Sequence, residues 1–368
     1  MQACSNGVVG DSPSPKEADI IPTKSIQKTS EPFSSGFAWF YKPPANNELS
    51  SLPGKFDFYI LTHRDEEERD TLRALGVETP IPNYLLFAAI QDPGDCEKRP
   101  WGNQVAYLAG DFCRISAEHP NWFLLDVFGN RIKSNSNFYS MDMGNPEFQA
   151  FWVERARDLQ VHYGWNGVFL DNVEASLSEH ILEGAVPAKY PTDKSLQAAV
   201  VSFLSFIQKQ GIGPLYANII ALKDREIWLN YLSYLDGAML ENYAVDWKGK
   251  ELSYSDWVTE QNMLLVSQDM GKELILVAQG EREDFQRQQF AYASYLLVNE
   301  GHSYFRYALN HDEYDTIWWY DNYDFTLGVA PGPAYNEGRV WIRDFENGQV
   351  RVYPDEVRAD IILFDAVP

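Results

Sequence analysis

The sequence predicts an α/β protein folded as a (β/α)8 TIM barrel with a small C-terminal β appendage. Three observations carry this. Short apolar runs alternate with amphipathic segments eight times, the pattern of parallel strands joined by helices. Two of those runs end in a carboxylate followed by Asn, at Asp171-Asn172 and Glu241-Asn242. A length of 368 residues suits one barrel with insertions.

The first strand is expected at Phe37-Ala38-Trp39-Phe40-Tyr41, stopped by Pro43-Pro44. The second runs from Phe56 to Leu61, followed by a charged helix from Asp65 to Leu75. The third spans Tyr84 to Ile90, ended by Asp92-Pro93-Gly94. A long excursion follows over 91–143. Within it, Trp122 to Asp126 and Arg131 flank Phe128-Gly129-Asn130, a turn signal. Asn145-Pro146-Glu147 then opens a helix to about Tyr163, with a capping residue before Pro at the first helical position.

The fourth strand is Gly167 to Asp171, the fifth Leu215 to Ile219 and the sixth Gly237 to Glu241. The seventh is Glu273 to Gln279 and the eighth His302 to Tyr307. Helices are expected between them at 195–210, 223–235, 254–271 and 283–298. After residue 320, Trp341-Ile342-Arg343 and Val350-Arg351-Val352-Tyr353 flank Glu346-Asn347-Gly348. Asn-Gly between β-rich runs marks a hairpin. The expected organisation is a leader or linker over 1–32, a catalytic barrel over 33–320 and a β-rich extension over 321–368 packed on it.

The leader holds few large apolar residues and many Ser, Pro and Lys, a composition that favours disorder. Met1-Gln2-Ala3-Cys4 has the form of the end of a bacterial lipoprotein signal, without the apolar region that precedes such a site. A lipid anchor through Cys4, on a secreted or cell-surface protein, is one expectation; a chance likeness is the other. No run of about 18 apolar residues occurs. The other cysteines are Cys96 and Cys113. They form either a disulfide across a loop or two free thiols. No cysteine or histidine spacing for zinc is present.

A net charge of −23 repels polyanions, so a nucleic-acid partner is not expected. A neutral or cationic glycan fits this charge. Trp (11) and Tyr (21) are plentiful and serve either the core or a cleft that stacks on sugar rings. A monomer is expected.

Barrel enzymes carry their chemistry at the C-terminal ends of strands. An apolar strand that delivers a carboxylate does so at a desolvation cost, which partners or a function must offset. Asp171 and Glu241 are both delivered in this way, by the fourth and sixth strands, to one mouth. A carboxylate pair is what glycoside hydrolysis requires. Asp171 is the candidate nucleophile or ion-stabilising base. Glu241 is the candidate general acid, which needs a raised pKa. Asn172, Asn242, Asn218 and Gln279 are candidates for orienting the carboxylates or binding hydroxyls. Trp39 and Tyr41 are candidates for the cleft floor, and Arg306 for pairing a carboxylate. Glu174 is a spare carboxylate three residues past Asp171. His63 reads as a satisfied loop residue.

Trp165-Asn166-Gly167-Val168-Phe169-Leu170-Asp171-Asn172 and Leu235-Asp236-Gly237-Ala238-Met239-Leu240-Glu241-Asn242 resemble a "DGVFLDN" and a "FDGVMxE" strand. Both occur in the hypothetical glycosyl hydrolase barrels related to the endo-α-1,4-polygalactosaminidase family. Arg343-Asp344-Phe345-Glu346-Asn347-Gly348 resembles the "RxFxNG" hairpin found after such barrels. Leu327-Gly328 with Pro331 is similar to the stretch before it. The likeness spans roughly 36–360. It implies a glycoside hydrolase with Asp171 and Glu241 as the catalytic pair. Asn166 stands where Asp is usual, and the 91–143 excursion has no counterpart in the pattern.

There is no GxSxG elbow, P-loop, GxGxxG after the first strand or HExxH. No cofactor or metal is expected. The competing class is a non-catalytic glycan-binding barrel, which would tolerate loss of either carboxylate. A barrel lyase or metal-assisted phosphoester hydrolase would need more ligands at strand ends than six His suggest.

Overall fold

Residues 35–134, 137–177, 185–221, 224–245, 250–309 and 314–364 are described by a computed structural model. The leader, with Cys4, lies outside them. The first strand, β1 (Gly36–Phe40), ends one residue early because Tyr41 takes φ 77°. A 3-10 helix, Ala45–Ser51, replaces the first barrel helix and leads to β2 (Phe58–Ile60). The charged segment forms α1 (Glu66–Ala74).

The third apolar run is two strands rather than one. β3 (Asn83–Leu86) belongs to the barrel, and β4 (Ala89–Gln91) leaves it. A run buried on both faces carries no alternation that would mark the break. The excursion holds a helix that the sequence did not announce, α2 (Asp111–Glu118), which starts after left-handed Gly110 without a side-chain cap. β5 (Lys133–Ser134) and β6 (Phe138–Ser140) pair antiparallel with each other, and β6 with β4. The expected turn forms at Asp126, whose carboxylate accepts from Phe128 N and Asn130 N, both at 2.8 Å. Cys96 and Cys113 are bonded, with Cα atoms 5.8 Å apart.

From α3 (Pro146–Tyr163) onward the sequence expectation and the structure run together. Asn145 caps α3 by accepting from Glu147 N and Phe148 N, and left-handed Gly164 ends it. Then come β7 (Val168–Glu174), α4 (Asp193–Lys209), β8 (Leu215–Ile220) and α5 (Arg225–Leu232). They are followed by β9 (Gly237–Leu240), α6 (Tyr254–Asp269), β10 (Glu273–Gln279), α7 (Phe285–Val298) and β11 (Ser303–Ala308).

The eight parallel strands follow the order β2-β1-β11-β10-β9-β8-β7-β3. The ring closes where Leu61 bridges Asn83, with Tyr84 N donating to Leu61 O at 2.8 Å. This is a (β/α)8 TIM barrel. Its interior is filled by Ala38, Phe40, Phe58, Ile60, Phe169, Met239, Ile275 and Val277, among others. At the N-terminal end, the rings of Tyr216 and Tyr304 each lie 5.0 Å from Phe58. Both hydroxyls donate to Glu273, at 2.5 and 3.1 Å. Gly237 is required there: a Cβ would fall 2.4 Å from Glu273 O and 2.8 Å from the Tyr216 ring.

A second, antiparallel sheet contains β12 (Tyr335–Glu337), β13 (Val340–Phe345), β14 (Gly348–Tyr353) and β15 (Arg358–Leu363). Arg343 of β13 joins it to the barrel. Its buried guanidinium donates to Leu296 O, Leu297 O and Asn299 O at the end of α7, at 2.9 to 3.2 Å. It also pairs with Glu300 at 2.9 Å. These are carbonyls that a helix end leaves without partners.

Candidate active site

The carboxylates reach the mouth because their strands are pinned at the opposite end. Asp236 Oδ2 accepts from Leu215 N at 2.7 Å, at the start of β8 and just before β9. Asn166 Oδ1 accepts from Ile81 N at 3.0 Å, just before β7. Asn at 166 therefore does the work of an Asp: both side chains supply an acceptor to the backbone at or just before the start of the neighbouring strand.

Along β7 and β9 the side chains alternate. Phe169 and Met239 point into the barrel, so Asp171 and Glu241, two residues on, open at its mouth. A register shift between Leu170 and Val173 makes a bulge in β7. Asn172 sits in it with φ 60°, and bulges commonly re-aim side chains beside active sites.

Asn218, at the matching position of β8, links the pair. Its Nδ2 donates to Asp171 Oδ1 at 3.1 Å and to Glu241 Oε2 at 2.8 Å. One nitrogen at those distances holds the two oxygens within about 6 Å of each other. The remaining oxygens have phenol donors. Tyr84 OH donates to Asp171 Oδ2, and Tyr314 OH to Glu241 Oε1 at 3.0 Å. Burial, with the nearby carboxylates, pushes the Tyr84 and Tyr314 hydroxyls well above their usual range. Both stay protonated donors.

Glu241 is pushed up to about 7. Desolvation is the first cause and the Asp171 charge the second, opposed by the bonds from Tyr314 and Asn218. Tyr41 completes the wall: its hydroxyl donates to Met239 Sδ at 3.4 Å, and its ring packs 4.9 Å from Tyr84 and 5.1 Å from Tyr314.

The structure thus brings Asp171, Glu241, Asn218 and Tyr41 together. Asn172 and Asn242 lie beside them, partly exposed. Gln279 ends β10, is 5% exposed, and neither amide atom has a partner among the described residues. Glu174 is buried further along β7, opposite Ile220.

Two candidates have other roles. Trp39 is fully buried, because Ala38 and Phe40 take the inward positions of β1. Its indole N–H donates to Lys42 O at 2.7 Å, and it packs with Phe56 outside the barrel. It does not floor a cleft. Arg306 donates to the carbonyls of Phe40 and Tyr314, at 3.4 and 2.6 Å, rather than to a carboxylate. Burial pulls its pKa down to about 10. Its bond to Tyr314 O fixes the loop that carries the Tyr314 hydroxyl. His63 is a satisfied loop residue, bonded to Glu66 at 2.7 Å.

Tyr84 and Tyr314 escaped the sequence reading. Tyr84 lies in a strand buried on both faces, so its sequence carries no alternation that would mark it as an inward residue. Tyr314 stands in a loop, where no periodicity applies. No group of three or more metal-ligating side chains is present among the described residues.

No curated protein matches the sequence. Among solved structures, the glycoside hydrolase domain of PelA from Pseudomonas aeruginosa is similar at 18% identity and a TM-score of 0.49. The match covers 81% of this chain and 98% of that one. A noncanonic maltogenic α-amylase, AmyB from Thermotoga neapolitana, is similar at 11% identity and a TM-score of 0.50. It covers 86% of this chain and 85% of that one, a likeness of fold. Residues 94–349, including most of the excursion that the strand motifs left unaligned, match hypothetical glycosyl hydrolase family 15. The match takes in more than half of the chain: this protein belongs to hypothetical glycosyl hydrolase family 15, and its reaction is the hydrolysis of glycosidic bonds.

Proposed function

We propose that the protein cleaves a neutral or cationic oligo- or polysaccharide with retention of anomeric configuration, using Asp171 as nucleophile and Glu241 as acid/base. The observation that carries this reading is the shared donor: one Asn218 nitrogen bonds both carboxylates. The resulting limit of about 6 Å favours the close spacing of retaining enzymes, about 5–5.5 Å, over the 6.5–9.5 Å that admits a water.

Asp171 attacks the anomeric carbon. The glycosidic C–O bond breaks, and the leaving oxygen takes the proton of Glu241. A pKa near 7 suits a donor at neutral pH. Forming the glycosyl ester removes the Asp171 charge, one of the two causes that raise Glu241. Its pKa then falls, which favours the base role. Glu241 next takes a proton from water, whose oxygen attacks the anomeric carbon and releases Asp171 as carboxylate. Asn218, Tyr84 and Tyr314 hold the two groups in place throughout.

The test is a rate assay on an oligosaccharide panel with Asp171→Asn and Glu241→Gln as controls. Each substitution is expected to lower kcat by roughly 10²–10⁴-fold, the share that positioned acid–base groups contribute. Proton NMR of the first product should show the substrate's anomer. Inverted product would end the nucleophile assignment. A glycan bound equally by wild type and both variants, with no turnover in wild type, would favour the binding-barrel reading.

The Cys96–Cys113 disulfide supports an oxidising setting for the chain. This agrees with the secreted or surface-anchored location expected from Met1–Cys4, and cell fractionation tests it.

A further inference from the structure

Trp101 is 59% exposed, the one tryptophan among the described residues that is largely open to solvent. A single exposed aromatic residue needs no explanation by itself. Its attachment does. Trp101 N donates to Gln91 Oε1 at 2.7 Å, and Gln91 N donates to Gln104 Oε1 at 2.6 Å. Arg64 donates to Pro100 O, and Leu86 N donates to Asn103 O at 2.8 Å. Gly102 passes so close to the loop after β2 that a Cβ would lie 1.9 Å from His63 O. Every residue of 100–103 is thus fixed to a neighbouring segment, and the indole is held outward on a rigid support. Phe138 of β6 backs it, with ring centroids 5.6 Å apart.

The same loop reaches the carboxylate pair. The Asn103 side chain hydrogen-bonds Tyr84, which donates to Asp171. Trp101, Phe138, Asn103, Tyr84, Asp171 and Asn172 line one cavity of about 180 Å³. Asn103 Oδ1 has no partner among the described residues.

We propose that this cavity is a sugar-binding subsite beside the cleaved bond. A pyranose ring stacks on the indole of Trp101, and its hydroxyls reach the side-chain amides of Asn103 and Asn172. The ligand class is a neutral or cationic pyranose unit of an oligosaccharide, on the Asp171 side of the scissile bond. A pyranose offers a flat C–H face to a π surface and hydroxyls at its rim, and this cavity offers an indole with amides around it. The rigid support matters because a mobile indole would lose rotamer entropy on binding. This inference rests on the hydrolase reading and assigns part of its substrate site to the 91–143 excursion.

The test compares wild type, Trp101→Ala and Trp101→Phe on maltohexaose, cellohexaose, xylohexaose and chitosan hexaose. Calorimetric binding of the same panel to Asp171→Asn, with and without Trp101→Ala, runs alongside. Thermal melts of all variants check folding. On the hexamer that wild type cleaves, Trp101→Ala is expected to raise KM about tenfold, from the loss of one stacking contact. The change in kcat should stay within about threefold, and Trp101→Phe should recover most of the loss. An unchanged KM and product pattern in folded Trp101→Ala overturns the subsite while the hydrolase reading stands. No turnover in wild type, with binding that still depends on Trp101, overturns the hydrolase reading and keeps the subsite. Binding indifferent to Trp101, or absent across the panel, overturns the subsite.

Discussion

Asn218 donates to Glu241 at 2.8 Å, and the same nitrogen reaches Asp171 at 3.1 Å. Two carboxylates in one desolvated mouth repel, and the group with the higher pKa keeps its proton. Desolvation and the Asp171 charge push Glu241 up to about 7. The alkaline limb of kcat/KM should therefore fall near pH 7 and drop about tenfold per unit above it, as the acid ionises. Tyr314→Phe removes a bond that lowers the Glu241 pKa. Its limb should move to higher pH, with kcat/KM on the plateau reduced roughly three- to tenfold. A limb that stays in place or moves down would dismiss Tyr314 as a partner of the acid.

The same carboxyl leaves a mark on stability. A carboxyl whose pKa is raised by folding favours the folded state below its unfolded pKa. That contribution is lost as pH rises through the folded value. For Glu241 the window runs from its usual 4.5 to about 7. The total is at most on the order of 3 kcal/mol. Glu241→Gln should gain stability relative to wild type between pH 4.5 and pH 8, seen as a Tm difference that grows across that interval. A pH-independent difference would contradict the raised pKa.

Arg343 offers a test away from the mouth. Its guanidinium serves three carbonyls at the end of α7 and Glu300. Arg343→Ala strands those groups and should cost about 3–5 kcal/mol in denaturant titrations. KM should not change. Arg343→Lys should recover only part, because an ammonium lacks the planar fork.

The Cys96–Cys113 bond closes a separation of 17 residues, for which chain entropy gives about 3 kcal/mol. Cys96→Ser with Cys113→Ser should melt earlier by the equivalent amount. A double variant as stable as wild type would show that the excursion's hydrogen bonds suffice.

Much of this was legible in the sequence, for identifiable reasons. Glu273–Gln279 was expected at the bounds it has, because an unbroken apolar run between helical segments admits few other readings. Asp171 and Glu241 were visible because a charge after four apolar or small residues is conspicuous. What escaped were events without a period. The chain leaves the barrel after Leu86, and nothing in Tyr84 to Ile90 marks the exit. Trp39 was assigned by residue type, but strand alternation decides its face and turns it outward. Tyr314 and Asn103 act through loops, whose paths follow from hydrogen bonds between distant residues such as Arg306 and Tyr314. Local composition does not encode those paths.

The aromatic plug at the base of the barrel sets the traffic through it. Tyr216 and Tyr304, both bonded to Glu273, pack on Phe58 across the axis at its N-terminal end. Whatever enters at the mouth must depart by the same door, so spent fragments and fresh polymer contend for one threshold. Accumulating product should then slow the enzyme competitively, and turnover on long chains should be governed by how quickly the short piece gets out of the way.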